Sequence, residues 1–252
     1  MSLWIYGINS VSAVLDNRPK DVKEMIFIKS KDEKKDSERL SLVRQKAQKN
    51  GIKTSEQTEE SVFERVKNRE GVNHQRVFAF INPIKIPTLN EVLESSKDKP
   101  NRVFVILDGV TDIHNIGAII RTAVAFNVEA IVLPKDRTAS ITADVYKTSS
   151  GAVENIKICE EVNLVRTVGV LKENSFWVYG FEANGTQDIQ KTDLRGNVCC
   201  VIGGEDTGIR RLLKDNCDMI LRIPMSANAH SLNASVSAAV VMYEIQRQQQ
   251  LS

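Results

Sequence analysis

Three clusters of polar residues and glycine in the second half of the chain hold the residue types that could do chemistry. The first extends from Asp108 to Arg121, the second from Gly203 to Gly208, and the third from Ile223 to Asn233. Each begins where an apolar, strand-like stretch ends, and α/β proteins bind ligands in loops beyond the carboxyl ends of their strands. The clusters therefore predict a ligand site in these loops.

The second cluster is a glycine-rich loop. Gly203, Gly204 and Gly208 allow the backbone to turn tightly and to approach a ligand closely. The third cluster runs into a helix near Ser231, whose free N–H groups suit a carboxylate or another polar group. The alternative is a purely structural role, in which these residues only form turns and a helix cap.

Arg121 is the one cation in a mostly apolar helix of the first cluster. An inward-facing arginine needs a partner, and Glu205 of the second cluster is a candidate. A purely structural ion pair between Arg121 and Glu205, which would link two elements of the fold, explains Arg121 as well as a catalytic role does. Asn115 in the same cluster is either a site residue or the cap of its helix.

The elements around these clusters predict a parallel α/β sheet. Arg102–Leu107 is a continuous apolar strand, 115–127 is an amphipathic helix, and Glu129–Leu133 is a second strand. A strand, a helix and a strand within about thirty residues form a βαβ unit. Further strands and a helix follow at IKIC, 163–173, FWVYGF, CCVIGG and MILRIPM.

The first part of the chain predicts a separate small α/β domain over residues 1–82, then a proline-containing linker over 83–101 and a second domain over 102–252. Its predicted elements are a helix at 8–15, a strand at 24–29, a helix with Leu40, Val43 and Ala47 on one face, a helix at 58–67 and a strand at 75–81. The first 100 residues carry a net charge of +4 and the remainder −2, which hints at an anionic partner for the first domain.

Several sequence patterns that mark other classes of protein are missing from this chain. No apolar run reaches the roughly 18 residues that span a bilayer, and the N-terminus lacks the pattern of a signal peptide. None of the four cysteines forms a C-x-x-C pair, so we expect buried, reduced thiols in a cytoplasmic protein. The three histidines lack metal-ligand spacing, and the common nucleotide-binding and hydrolase motifs are missing.

Taken together, the clusters resemble the three signature motifs of the SPOUT methyltransferases, specifically the TrmH-type 2′-O-ribose methyltransferases. The motifs stand in order as LDGVTDIHNIGAIIRTAVAFNVEAIVLP, VIGGEDTGIRRLLKDNCDMILRIPM and SLNASVSAAVVMYE. YGINSVSAVL, EMIFIKS and GVNHQRVFAFI resemble an L30e-like substrate-binding domain found in the group that methylates a guanosine of large-subunit (23S) ribosomal RNA. That group usually has glycine after the His-Gln pair, where this chain has Arg76.

The resemblance implies a C-terminal SPOUT domain with a parallel sheet and a deep trefoil knot, a homodimer, S-adenosylmethionine (SAM) as cofactor, RNA as substrate, and no metal. It implies catalytic positions at Arg121, Glu205, Asn115 and Asn233. The cofactor-binding positions that it implies are Gly203, Gly204, Ile223, Met225 and Leu232. Phosphate contacts are expected from Lys31, Lys34, Lys35 and Arg39, with His74 and Gln75 either contacting RNA or packing inside their domain.

The expected reaction is methyl transfer from the sulfonium of SAM to a ribose 2′-hydroxyl. A guanidinium is effectively never deprotonated in a protein, so we expect Arg121 to stabilise the developing alkoxide or a neighbouring phosphate, with Glu205 orienting it. Asn115 and Asn233 would fix the ribose or the site loops. The alternatives are the same chemistry on transfer RNA or another ribosomal site, and a non-catalytic RNA-binding or ribosome-assembly factor.

Overall fold

The structure, a computed structural model, describes residues 2–29, 37–66, 71–135, 141–205 and 207–250. Its strands are β1 (Leu3–Tyr6), β2 (Val22–Ile28), β3 (Thr54–Gln57), β4 (Val77–Ile81), β5 (Val103–Asp108), β6 (Ala130–Pro134), β7 (Lys157–Glu161), β8 (Trp177–Phe181), β9 (Gln187–Asp188), β10 (Val198–Gly203) and β11 (Met219–Arg222). Its α-helices are α1 (Ile8–Asn17), α2 (Glu38–Lys49), α3 (Glu59–Arg65), α4 (Leu89–Ser95), α5 (Ile113–Ala125), α6 (Ala143–Thr148), α7 (Leu164–Glu173), α8 (Arg211–Lys214) and α9 (Ala234–Gln250).

The chain divides into two compact units. The first consists of Met1–Lys85 with Ile141–Asn155, and the second of Ile86–Ser140 with Ile156–Ser252. The second unit contains a seven-stranded sheet in the order β7-β6-β5-β10-β8-β11-β9, and every strand pair in it is parallel. The predicted α/β fold with a parallel sheet is confirmed.

Strands β5 and β6 of this sheet are buried along their whole length. All six residues of β5 and all five of β6 are buried, as expected for parallel strands that are covered on both faces. Helix α5 begins after Asp112, whose carboxylate accepts the backbone N–H of His114 at 2.8 Å. Asn115 therefore does not cap this helix, and the alternative that it is only a cap is wrong.

The segment predicted as a linker is divided between the two units. Leu89, Val92 and Leu93 of α4 are buried in the core of the second unit, where Cys159 also lies. Their i, i+3, i+4 spacing gives α4 one apolar face, and that face needs a partner. The boundary between the units therefore falls after Lys85 and before Ile86.

The first unit contains a four-stranded sheet in the order β1-β4-β2-β3. Strand β4 is antiparallel to β1 and β2, whereas β3 is parallel to β2. Helix α2 is capped by Ser37 and buries Leu40, Val43 and Ala47, as its periodicity predicts. Strand β3 was not predicted, because its four residues are polar and none is fully buried.

Residues 141–155 pack with the first unit, although the sequence analysis placed them in the second domain. The Arg18 guanidinium donates to the Glu154 carboxylate at 2.8 Å and to the Tyr146 hydroxyl at 2.9 Å, and that hydroxyl donates to Glu154 at 2.5 Å. The Glu154 side chain is only 2% exposed. Burial and the neighbouring carboxylate raise the pKa of Tyr146, so its proton stays in this network.

The loop before β4 explains two residues that were candidates for RNA contact. The His74 ring stacks on Phe78 and lies 2.9 Å from the Glu59 carboxylate. The Gln75 side-chain oxygen accepts the backbone N–H of Ile8 at 3.0 Å and so caps α1, which has no side-chain cap of its own. Packing inside the unit therefore accounts for both side chains. Arg76 has a φ of +65°, a conformation that suits glycine better than arginine.

We expect Gln75→Ala to lower the free energy of unfolding by about 1–2 kcal/mol, because the Ile8 N–H loses its acceptor. Gln75→Glu keeps an acceptor and adds a negative charge at a helix N-terminus, near the Lys147 ammonium that contacts Gln75 at 3.2 Å. It should leave stability unchanged or higher. Urea unfolding of the three proteins is the measurement, and equal losses in both variants would contradict the capping role.

All four cysteines are free, and Cys159, Cys199 and Cys200 are buried. Burial raises the pKa of the Cys159 and Cys217 thiols to about 12, so they are protonated and poor nucleophiles at neutral pH.

Over the described ranges, no helix is both long and apolar enough to cross a membrane. The same ranges hold no group of three His, Cys, Asp or Glu residues that could bind a metal ion.

Candidate active site

A pocket of about 770 Å³ opens where β8, β10 and β11 end. It lies at the carboxyl edge of the parallel sheet, as the positions of the polar clusters predicted. The ends of β8 and β10, the loops after β8, β10 and β11, and the start of α9 line it. The lining residues are Phe181, Glu182, Ala183, Asn184, Ile202, Gly203, Gly204, Glu205, Gly208, Ile223, Met225, Ser231, Leu232, Asn233, Ala234 and Ser237. All five predicted cofactor-binding residues belong to this lining.

Two glycines of the lining allow backbone segments to touch. A Cβ at Gly203 would lie 2.3 Å from the carbonyl carbon of Gly208, and one at Gly204 would lie 2.4 Å from the carbonyl oxygen of Gly109. Real Cβ atoms essentially never approach backbone so closely. The loop therefore requires glycine at both positions, and it presents bare backbone to the pocket.

Two carboxylates hold this loop in place: Asp108, which begins the first polar cluster but was given no role, and Glu182, which was not predicted. Asp108, fully buried at the end of β5, accepts the backbone N–H of Arg210 at 2.8 Å and its Nε at 2.6 Å. Glu182, directly after β8, accepts the backbone N–H of Ile209 at 3.2 Å and pairs with Lys214. Both residues stand at or just beyond the carboxyl end of a strand, a position from which they could have been predicted.

Glu205 joins Asn115 and Asn233 into one cluster. Its Oε1 accepts Nδ2 of Asn115 at 3.0 Å, Nδ2 of Asn233, and the backbone N–H of Ala234 at 3.4 Å. The Asn233 amide also donates to Oδ1 of Asn115 at 3.0 Å. Oδ1 of Asn233 meanwhile accepts backbone N–H groups of the first turn of α9, at 2.9 Å and 3.3 Å, so that Asn233 caps this helix.

These contacts bring together three of the four predicted catalytic positions. They also occupy the amide groups of both asparagines, because each donates or accepts within the cluster. Of the two roles predicted for Asn115 and Asn233, the geometry fits fixing the site loops rather than the ribose.

Arg121 does not join the cluster, and the predicted ion pair with Glu205 is absent from the described residues. The buried face of α5 is formed by Ile116, Ile119, Ile120 and Ala123. Arg121 lies one residue beyond Ile120, which is 100° around the helix, and its side chain is exposed. Within the described residues it makes no hydrogen bond, so the expectation that Glu205 orients it within one chain is wrong.

The predicted phosphate contacts are only partly covered by the structure. Lys31, Lys34 and Lys35 lie outside the described residues. Arg39 is exposed on α2 and donates to the side-chain oxygen of Asn9.

Comparison with known proteins assigns the chain to a family. Residues 102–243 match the model of the SpoU rRNA Methylase family, and residues 4–87 match the model described as RNA 2′-O ribose methyltransferase substrate binding. The first match covers more than half of the chain and includes the whole pocket. The chain belongs to the SpoU rRNA methylase family.

Relatives and solved structures agree with this assignment. The 23S rRNA (guanosine-2′-O-)-methyltransferase RlmB of Vibrio vulnificus is 35% identical over 245 residues, which are 97% of this chain and 96% of that protein. RlmB of Haemophilus ducreyi is 36% identical over 98% of both chains. The AdoMet complex of the SpoU methyltransferase AviRb from Streptomyces viridochromogenes matches with a TM-score of 0.80 at 18% identity, covering 100% of this chain and 92% of that one. This last similarity concerns the fold alone.

Proposed function

We propose that this chain methylates the ribose 2′-hydroxyl of a guanosine in 23S ribosomal RNA, with SAM as the methyl donor, in the cytoplasm. The observation that carries the proposal is the similarity to RlmB proteins over nearly the full length of both chains. The glycine-lined pocket at the carboxyl edge of the sheet supports it. The RNA substrate-binding match over residues 4–87 adds support for an RNA substrate.

The pocket suits the proposed cofactor in its surfaces and charge. Ile202, Ile223 and Leu232 offer apolar surface for an adenosyl group, and Gly203 and Gly204 offer exposed backbone for polar contacts. The carboxylate of Glu205 complements a positively charged sulfonium, whereas that of Glu182 is already paired with Lys214. When bound, SAM supplies an activated methyl group.

The protein side chains must help the ribose oxygen to react. The 2′-hydroxyl is a weak acid that passes its proton to solvent while its oxygen takes the methyl group and the sulfur of SAM leaves as a neutral thioether, so negative charge develops on that oxygen during the transfer. In this proposal Arg121 stabilises that charge or an adjacent phosphate through its guanidinium, which carries five donors and remains charged. Glu205 holds the loops around Asn115 and Asn233 in the reactive arrangement, and the apolar lining excludes water.

Two substitutions separate the charge of Glu205 from its hydrogen bonds. Glu205→Gln retains an oxygen that can accept from both asparagines, whereas Glu205→Ala leaves the buried Asn115 amide without its acceptor. We expect the free energy of unfolding of the alanine variant to fall by about 1–3 kcal/mol. We also expect its rate of methyl transfer to be at least tenfold lower than that of the glutamine variant. Single-turnover methyl transfer and thermal unfolding measure the two effects, and equally impaired variants would contradict the loop-holding role.

The proposal extends to the threading of the chain and to its assembly. We infer a deep trefoil knot around β10, β11 and α9, supported by the family assignment and by the position of β10 between β5 and β8.

We also infer a homodimer. Val236, Val240 and Tyr243 recur at i, i+4 and i+7 on α9 and are 47%, 37% and 56% exposed, which is typical of a helix face that a partner covers. Sedimentation equilibrium tests the dimer.

The first unit is proposed as an L30e-like domain that binds the RNA substrate. The transfer-RNA alternative and the non-catalytic alternative are less well supported, because the relatives that match end to end are named for 23S rRNA and for methyl transfer.

The decisive experiment is methyl transfer from labelled SAM to unmodified 23S rRNA and to transfer RNA, followed by mapping of the modified nucleotide. A single 2′-O-methylguanosine in 23S rRNA is the expected result. Label in transfer RNA alone would overturn the substrate, and failure both to bind SAM and to transfer methyl would favour the non-catalytic factor.

A further inference from the structure

We propose that a cluster of aromatic and basic side chains on the first unit, formed by Trp4, Phe80, Lys23 and Arg65, binds a single-stranded segment of the RNA substrate by stacking against a base and contacting a phosphate. We call it the aromatic platform. The proposal rests on the proposed RNA substrate and adds the place on the first unit where the strand is held.

The centre of the platform is a pair of stacked rings. Trp4 on the edge strand β1 lies opposite Phe80 on β4, and their ring centroids are 4.8 Å apart with an angle of 28° between the planes. Both side chains are only partly buried. Stacked, accessible aromatic rings on a sheet are the surface on which unpaired bases stack, because every base has a π-face.

One cation lies over each ring of this pair. The Lys23 ammonium lies 5.3 Å from the centroid of the Phe80 ring, and the Arg65 guanidinium lies 5.1 Å from the centroid of Trp4. The combination of stacking rings with lysine and arginine is typical of surfaces that bind single-stranded nucleic acid.

The two cations are held differently. Arg65 pairs with Glu24, whose side chain is only 15% exposed, so its guanidinium is fixed as a flat surface beside Trp4. Lys23 donates to the Ser2 hydroxyl at 2.6 Å and has no acidic partner among the described residues. Its charge is therefore available to a phosphate, and its flexible side chain can leave the Phe80 ring when a base stacks there.

The backbone directs Lys23 toward the ring. The pairing of β2 with β4 shifts register between Val22 and Glu24, so that Lys23 is the extra residue of a β-bulge. A bulge changes the direction in which a side chain points and is common at functional surfaces. Without it, Lys23 would follow the alternation of the strand and point to the face opposite Glu24.

The chain has only two tryptophans, Trp4 and Trp177, which makes the platform directly observable. In the Trp177→Phe variant, Trp4 is the only tryptophan, and in the Trp4→Phe variant the only one is Trp177, which is 59% exposed on β8. We expect single-stranded oligoadenylate to quench the fluorescence of Trp4 saturably by at least twofold. The emission of Trp177 should stay unchanged and serves as the matched control.

Two further variants in the Trp177→Phe background test the individual contacts. Phe80→Leu keeps apolar bulk but removes the stacking face, so oligoadenylate should bind about tenfold more weakly. Lys23→Gln removes one phosphate contact, so the slope of log Kd against log salt should fall in magnitude by about 0.7. Circular dichroism spectra and melting temperatures of both variants should match those of their parent.

Saturable RNA binding in a filter assay with unchanged Trp4 emission would overturn the platform, as would unchanged affinity in both variants or no RNA binding by the parent. This outcome is distinguishable from failure of the proposed function. A platform that fails while 23S rRNA is methylated normally leaves the function intact, whereas quenching of Trp4 without any methyl transfer overturns the function and leaves the platform.

Discussion

Replacing Arg121 by lysine is expected to reduce methyl transfer at least a hundredfold while the affinity for SAM stays within twofold of the parent. Arg121 is exposed and does not line the pocket, so its removal leaves the cofactor surface unchanged. Lysine keeps the charge but loses the planar, forked donors that match an alkoxide or phosphate. Removing one donor that stabilises developing negative charge typically costs 10²–10³ in turnover.

Arg166→Lys provides the matched control. Arg166 is also exposed on a helix of the second unit, α7, and it does not line the pocket. Calorimetric titration with SAM and single-turnover methyl transfer should leave this variant indistinguishable from the parent. Near-normal turnover of Arg121→Lys would refute the catalytic role, and a parallel loss of SAM affinity would show that the substitution disturbs the pocket instead.

Gly204→Ala is expected to abolish measurable SAM binding and to lower the free energy of unfolding by about 1–3 kcal/mol. The new Cβ would lie 2.4 Å from the carbonyl oxygen of Gly109, so one of the two backbone segments must move. The same loop carries Glu205 and ends at the backbone N–H groups that Asp108 and Glu182 bind. Movement therefore disturbs the pocket lining and the Glu205 cluster together.

A second glycine separates this close contact from a general effect of adding a methyl group. Gly169 lies on the exposed side of α7, and a Cβ there would meet nothing within 4 Å. Gly169→Ala should raise stability by up to about 1 kcal/mol, because alanine favours a helix, and should bind SAM normally. Thermal unfolding and calorimetric titration compare the two variants, and normal SAM binding by Gly204→Ala would disprove the contact argument.

The sequence predicts the elements whose pattern is local and strong. The apolar run of β5, the βαβ unit that follows it, and the face of α2 with Leu40, Val43 and Ala47 all agree with the structure. The lining of the pocket agrees as well, because strand ends in a parallel sheet meet at one edge. The glycines at 203 and 204 were predicted to allow a tight turn and close approach to a ligand. The contacts that require them in the structure are with the backbone of Gly208 and Gly109, so approach to a ligand stays a prediction.

Other features depend on contacts that no local pattern encodes. Strands β3 and β9 are short and polar, so nothing in their composition distinguishes them from loops. Residues 141–155 join the first unit through a buried ion pair between Arg18 and Glu154, which are 136 residues apart. The exposure of Arg121 is a different case, because the positions of Ile116, Ile119 and Ile120 define the buried face of α5 and already place Arg121 outside it.

The contacts of Glu205 also determine when the site can exist during synthesis and folding. Its two asparagine partners are 90 residues before it and 28 residues after it, and the asparagines themselves are 118 residues apart. Contacts of such separation close large loops, which costs conformational entropy before the contacts can stabilise the chain. The loops of the pocket are therefore completed only when the start of α9 reaches Glu205. The central pairing of β5 with β10 spans 95 residues, a separation similar to that between Asn115 and Glu205. Activity should therefore recover during refolding only after the start of α9 has packed against Glu205.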